Sequence, residues 1–131
     1  KINILGDINK FNFQIKNSLK KSIKLTKKNN KIIVNLAINY GSKIEILNAF
    51  KKSKNQLTLK NIERNLYTKN IANPDILIRT GGHQRLSNFL LWQMAYTELF
   101  FLKKLWPDFK STDLLKIIKK YKSIKRNYGN I

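Results

Sequence analysis

The chain has 131 residues, 27 of them lysine or arginine against seven acidic, for a net charge of +20. That length suits one domain, and with no cysteine there is no disulfide frame, thiolate nucleophile or Cys-bearing zinc site. A single histidine excludes a His-rich metal centre, and no apolar run approaches the ~20 residues of a membrane span.

Ile2 to Leu5 reads as a short strand closed by the turn signal Gly6-Asp7. From Asn12 to Lys28 the pattern is helical, with Ile15, Leu19 and Ile23 recurring every fourth residue. Asn29-Asn30 stops that helix. Lys31 to Tyr40 is nearly continuous in apolar residues, which suits a strand covered on both faces of a parallel sheet. Gly41 turns the chain, and Ser42 with Glu45 has capping-box spacing for a helix through about Lys52. A second short helix is expected from Thr58 to Tyr67, and Pro74 ends that connection. Asp75 to Thr80 is another buried-looking strand, followed by Gly81-Gly82. Asn88 to Tyr96 is expected to be a helix capped by Ser87, and Leu99 to Leu102 a last strand. Trp106-Pro107 breaks the pattern before a basic helix capped by Ser111 or Thr112 and running to about Lys125. Alternating strands and helices argue for an α/β fold, an open, mostly parallel sheet with flanking helices in one domain over 1–131.

The charge favours polyanions. Lysine, isoleucine and asparagine together exceed two fifths of the residues, and all three have AT-rich codons. Much of the lysine excess is therefore read as solvated helix surface. The four arginines, Arg64, Arg79, Arg85 and Arg126, carry more information, because each offers a planar bidentate fork.

Open α/β sheets bind ligands beyond the carboxyl ends of their strands. After the strand ending near Ile78 come Arg79, two glycines, Arg85 and Ser87. Glycines admit close backbone approach, a helix amino terminus favours anions, and arginines bind phosphate oxygens. These parts suit a diphosphate without any G-x-G-x-x-G or P-loop motif. The plainer alternative is a polar turn in which Arg79 pairs with Asp75 or Glu98 and Ser87 only caps.

The stretch DILIRTGGHQRLSNFLLWQMAYTELFFLKKLWPDF, residues 75–109, resembles the cis-prenyltransferase family, the undecaprenyl diphosphate synthases. KINILGD at 1–7, NLAINYGSKIEI at 35–46 and the tail from Lys125 to Gly129 extend the likeness in order. The resemblance implies condensation of isopentenyl diphosphate onto farnesyl diphosphate with cis stereochemistry, assisted by magnesium, to give a polyprenyl (undecaprenyl) diphosphate carrier lipid. It implies that Arg79, Arg85 and Ser87, with the main chain at Leu86, hold isopentenyl diphosphate. Glu98 matches the acidic residue of the magnesium site, acting across a homodimer interface. It further implies a cytoplasmic protein at the inner face of the membrane, with peripheral membrane contact through its product and no nucleic-acid partner.

The residues Phe89, Leu90, Leu91, Trp92, Met94, Tyr96, Phe100 and Phe101 are read as core or subunit contact rather than as a prenyl tunnel. Three departures from the family pattern stand out. His83 replaces a commonly acidic residue, Lys43 an arginine, and Asn127 a basic residue before the aromatic-Gly tail. The family's Asp-Gly-Asn-Gly-Arg-Trp-like motif, which carries its catalytic aspartate, is absent, and neither Asp7 nor Asp75 has that context. The chain opens at Lys1 and has its one methionine at Met94. It is therefore expected to be a carboxy-terminal portion lacking the first strands, inactive alone, and prone to aggregate or to need a partner. A non-catalytic partner subunit of such an enzyme, and a basic nucleic-acid-binding module, are the alternative readings.

Overall fold

The computed structural model describes residues 1–127 and divides into two compact units, Lys1–Ile71 and Ala72 onward. Tyr128 and Gly129, the end of the family-like tail, lie outside the described residues. Both units use the same device, a parallel pair of four-residue strands, so the α/β reading with parallel strands holds.

In the first unit β1 (Ile2–Leu5) pairs with β2 (Val34–Ala37) in the register Ile2↔Val34 to Leu5↔Ala37. Parallel neighbours need a crossover, and α1 (Phe13–Thr26) supplies it. Asn12 caps α1 by accepting from the Ile15 amide at 2.9 Å. At the far end the Thr26 hydroxyl accepts from the Ile2 amide at 2.9 Å, tying helix to strand. Gly6 follows β1 with φ +116°, and a Cβ there would meet the Ile38 carbonyl at 2.2 Å. Only glycine fits that approach.

The strand in 31–40 is shorter than its apolar run, and its faces are not covered. Val34 is 44% exposed and Leu36 39%, while Ile32 and Ile33 before it are exposed as well. The run does reflect a parallel strand, but in a sheet of only two.

Helices α2 (Ser42–Lys52) and α3 (Leu59–Asn65) pack on each other around Ala49, Ile62 and Leu66, all buried. Thr58 caps α3 through its side chain. The expected cap of α2 is corrected: Gly41 is the capping residue, and Ser42 lies inside the first turn, fully buried. Glu45 is 2% exposed; its carboxylate accepts from the Tyr40 hydroxyl at 2.5 Å and from the Tyr67 amide at 2.7 Å. Its spacing from Ser42 mimics a capping box, but its work is to join α2 to the chain leaving α3.

In the second unit β3 (Ile76–Arg79) pairs with β4 (Glu98–Phe101) in the register Ile76↔Glu98 to Arg79↔Phe101. A 3₁₀ turn at Trp106–Asp108 leads into α4 (Ser111–Lys122), with Trp106 stacked on Phe109 at 5.8 Å. Lys110, not Ser111 or Thr112, is the capping residue of α4. The Asp113 carboxylate accepts from the Lys110 amide at 3.0 Å and pairs with the Lys104 ammonium at 2.7 Å. The Lys104 bond first, then the Lys110 amide, hold the Asp113 carboxyl below the usual carboxylate range.

The helix expected over Asn88 to Tyr96 does not form. That segment is a chain of turns, with Ser87 at φ +50°, Asn88 at +62° and Leu90 at +44°. Three left-handed residues within four positions cannot begin a right-handed helix. Met94 is buried there, whereas Leu91 and Tyr96 are exposed.

Candidate functional site

The loop after β3 carries the residues in question, and the structure folds it back onto the strand end. Arg79 is the last residue of β3 and is half-buried. Its Nη1 donates to the Arg85 carbonyl, and also to the Ser87 Oγ at 3.0 Å. A guanidinium bound to a carbonyl and a hydroxyl gives up no charge, so Arg79 is oriented without being neutralised. Neither Asp75 nor Glu98 pairs with it: Asp75 pairs instead with Arg126 at 2.8 Å.

Arg79, Arg85, Leu86 and Ser87 line one open concavity of about 350 Å³, with Ile78 and Phe89 at its apolar side. The Arg85 side chain is exposed, and among the described residues it has no hydrogen-bond or ion-pair partner. The Leu86 amide is likewise without a partner among them. Two arginines, Leu86 and Ser87 thus line one space, and the arginines give it the charge to suit a phosphate-bearing anion.

Two parts of the expected cradle are corrected. Ser87 caps no helix, so no helix dipole points at this space. The Gly81 and Gly82 amides donate to the carbonyls of Lys104 at 2.7 Å and Leu102 at 2.8 Å, so they shape the turn rather than face a ligand. Positive potential here comes from arginine side chains.

Glu98 stands apart from this group. It begins β4 opposite Ile76, whereas Arg79 ends β3 opposite Phe101. Three residues of strand separate the two ends by about 10 Å. Glu98 lines a second concavity of about 250 Å³ with Thr97, Lys125, Arg126 and Asn127. No three His, Asp or Glu side chains gather into a metal-holding group among the described residues. One carboxylate facing two cations, a strand length from the arginines, does not fit a magnesium site within a single chain. His83 is exposed in the loop.

Sequence reasoning missed the pairing that borders Glu98. Arg126 donates to the Asp75 carboxylate at 2.8 Å, the Tyr121 hydroxyl at 2.6 Å and the Tyr96 carbonyl at 3.0 Å. Arg126, then the Tyr121 hydroxyl, hold the Asp75 carboxyl below its usual range. The one sequence signal was the scarcity of arginine itself.

Likeness to known proteins extends over nearly the whole chain. The family model described as "Putative undecaprenyl diphosphate synthase" matches residues 1–129. The chain belongs to the cis-prenyltransferase family. It is 39% identical to the isoprenyl transferase of Oceanobacillus iheyensis, over 100% of this chain and 56% of that protein. It is 42% identical to the isoprenyl transferase of Chlamydia muridarum, over 98% of this chain and 55% of that one. A crystal structure of a probable undecaprenyl diphosphate synthase from Campylobacter jejuni superposes with a TM-score of 0.92 at 31% identity, over 99% of this chain and 63% of that one. Lavandulyl diphosphate synthase from Lavandula x intermedia, solved with dimethylallyl diphosphate, gives 0.91 at 31% identity, over 99% and 60%. The chain thus spans between half and two thirds of the family members it resembles. No helix among the described residues is long and apolar enough to cross a membrane.

Proposed function

We propose that this chain serves the condensation of isopentenyl diphosphate with an allylic prenyl diphosphate, farnesyl diphosphate, to extend a cis-polyprenyl (undecaprenyl) diphosphate. Its own part is the isopentenyl diphosphate site. The observation that carries this reading is that Arg79, Arg85, Leu86 and Ser87 line one concavity, with Arg79 held by the Ser87 hydroxyl. Arg79 and Arg85 neutralise the diphosphate, and Ser87 and the Leu86 amide orient it. In the reaction a bond forms from the isopentenyl alkene to the allylic C1, the allylic diphosphate departs, and a proton is lost.

Magnesium, when bound, would supply charge neutralisation on diphosphate oxygens. Since Glu98 does not meet the arginines within one chain, its place in that site is beside the arginine cluster of a second copy, in a homodimer. These 131 residues correspond to one part of the family's catalytic domain and contain no catalytic aspartate motif, so alone they bind without turning over. Such an enzyme works in the cytoplasm at the inner membrane face.

Two measurements test this reading. Equilibrium binding of radiolabelled isopentenyl diphosphate to the chain should weaken about 100-fold in Arg79→Ala, as two charge-assisted bonds are lost. Condensation with farnesyl diphosphate and magnesium should then appear only when the chain is joined to whatever its gene encodes upstream. Undiminished binding by Arg79→Ala sinks the site. Binding with no condensation in either form supports the partner-subunit reading instead.

A further inference from the structure

Between Asp7 and Glu45 the sequence holds no carboxylate and nine lysines. Five of them, Lys20, Lys21, Lys24, Lys27 and Lys28, are exposed and cluster on the outer side of α1 and its carboxyl end. At 100° per residue the first four fall within an arc of about 120° of helix surface. Dispersal over helix faces in general does not produce a face of one sign with no counter-charge.

Apolar side chains stand among these lysines. Leu25, in the last turn of α1, is 72% exposed. Ile32 and Ile33, just before β2, are 71% and 54% exposed, and Lys31 beside them is exposed too. Ile2, Lys28, Lys31, Ile32 and Val34 line a concavity of about 550 Å³ at this end of the strand pair. A basic face with aliphatic side chains projecting through it has the composition of a surface that lies on anionic lipid. The cations meet headgroup charge, the aliphatics enter the headgroup boundary, and the lysine stems reach alongside.

We propose that the carboxyl half of α1 with the segment Lys31–Val34 is a docking surface for anionic phospholipid bilayers. This surface lies in the chain itself and does not depend on a prenyl product. Nucleic acid fits it less well. Single strands are held by stacking on aromatics or on arginine planes, and residues 20–34 contain neither. Aliphatic projections give a duplex nothing, but a bilayer interface a great deal.

Flotation of the 131-residue chain with vesicles tests the proposal, because bound protein rises and aggregated protein sinks. The chain floats with phosphatidylcholine vesicles that contain phosphatidylglycerol, stays behind with phosphatidylcholine alone, and is released by salt. A lysine near an anionic surface is worth roughly fivefold, so the pair Lys24→Glu and Lys28→Glu, which also adds repulsion, lowers partitioning by at least about 25-fold. Leu25→Ser with Ile32→Ser lowers it several-fold with every charge kept. The pair Lys119→Glu and Lys120→Glu on α4 leaves it near the parent value. Equal flotation on both vesicle types, or equal losses from the α4 pair, overturns the proposal. So does tighter binding to RNA or DNA than to the vesicles at matched salt, undiminished in the Leu25 and Ile32 variant. Circular dichroism on each variant separates lost binding from lost fold.

Discussion

The carboxyl ends of β1 and β3 are built from the same parts and finished differently. Each strand lies in a four-residue parallel pair, and a glycine at positive φ follows each within two residues. Beyond β1, Gly6 is pressed against the Ile38 carbonyl, and Asn39 donates from Nδ2 to the Asp7 carbonyl at 2.9 Å. That end is stitched together across β1 and β2, and the concavity of about 280 Å³ beyond it, beside Asp7, Lys10, Asn39 and Tyr40, holds no arginine. Beyond β3, a Cβ on Gly81 would meet nothing within 4 Å, and Arg79, Arg85 and Ser87 face open space. Two ends of one topology thus differ in what lines them: one offers Asp7, Lys10 and two tyrosines around a tightly packed glycine, the other two arginines and a serine. A strand's carboxyl end is a place where a ligand can bind, and the side chains beyond it decide whether one does.

The largest expected effect follows from the close contact. Gly6→Ala must move the β2 backbone as well as hold alanine at φ +116°, and should cost at least about 3 kcal/mol. Gly81→Ala meets only the conformational penalty and should cost about 1 kcal/mol. Denaturant midpoints of the two variants measure the contrast directly. Equal losses would mean that steric closure does not distinguish the two ends.

The comparison also shows what could be read in advance. Strands, α1, α3 and α4 were legible because apolar spacing and the stop signals at Asn29-Asn30 and Pro74 agree with the folded chain. The arginine-serine group was legible because it is contiguous: a Gly-Gly turn inside nine residues leaves little freedom in how Arg79 meets Ser87. The stretch 88–96 was not. Its apolar content and Ser87 imitate a capped helix, and of the three left-handed residues only Asn88 belongs to a type that tolerates that region readily. Glu45 deceived by the same route, since one spacing serves both a capping box and a buried acceptor. The pairing of Asp75 with Arg126 spans 51 residues, beyond any local pattern.

A second test sharpens the contrast between the units. Glu45→Ala removes a buried acceptor from the Tyr40 hydroxyl and the Tyr67 amide, and should cost about 2–3 kcal/mol. Isopentenyl diphosphate affinity should stay within about twofold, because the arginine recess lies wholly in the other unit. A loss of affinity matching the loss of stability would show that the recess depends on the first unit's packing. Thermal melts and binding isotherms on the same sample separate the two.

The smallest expected effect concerns acid. The Asp75 carboxyl is held below its ordinary value chiefly by Arg126 and next by Tyr121. A depressed folded value means that the unfolded chain takes up the proton first as pH falls. The stabilisation is therefore complete above the unfolded value near 4, and drains away as pH drops through the lower folded one. Asp75 is largely exposed, with 65% of its side chain open, so screening by water and salt keeps the effect modest. Asp75→Asn should lower the neutral plateau slightly, meet the parent curve in acid, and so flatten stability against pH below about 4. Asp113, held low by Lys104 and the Lys110 amide, keeps its own acid sensitivity in that variant. Denaturation midpoints from neutral pH downward, on the parent chain and on Asp75→Asn, give the comparison. An unaltered slope would show that Asp75 takes up its proton alike in the folded and unfolded chain, and would assign the whole acid response to Asp113 and the other carboxylates.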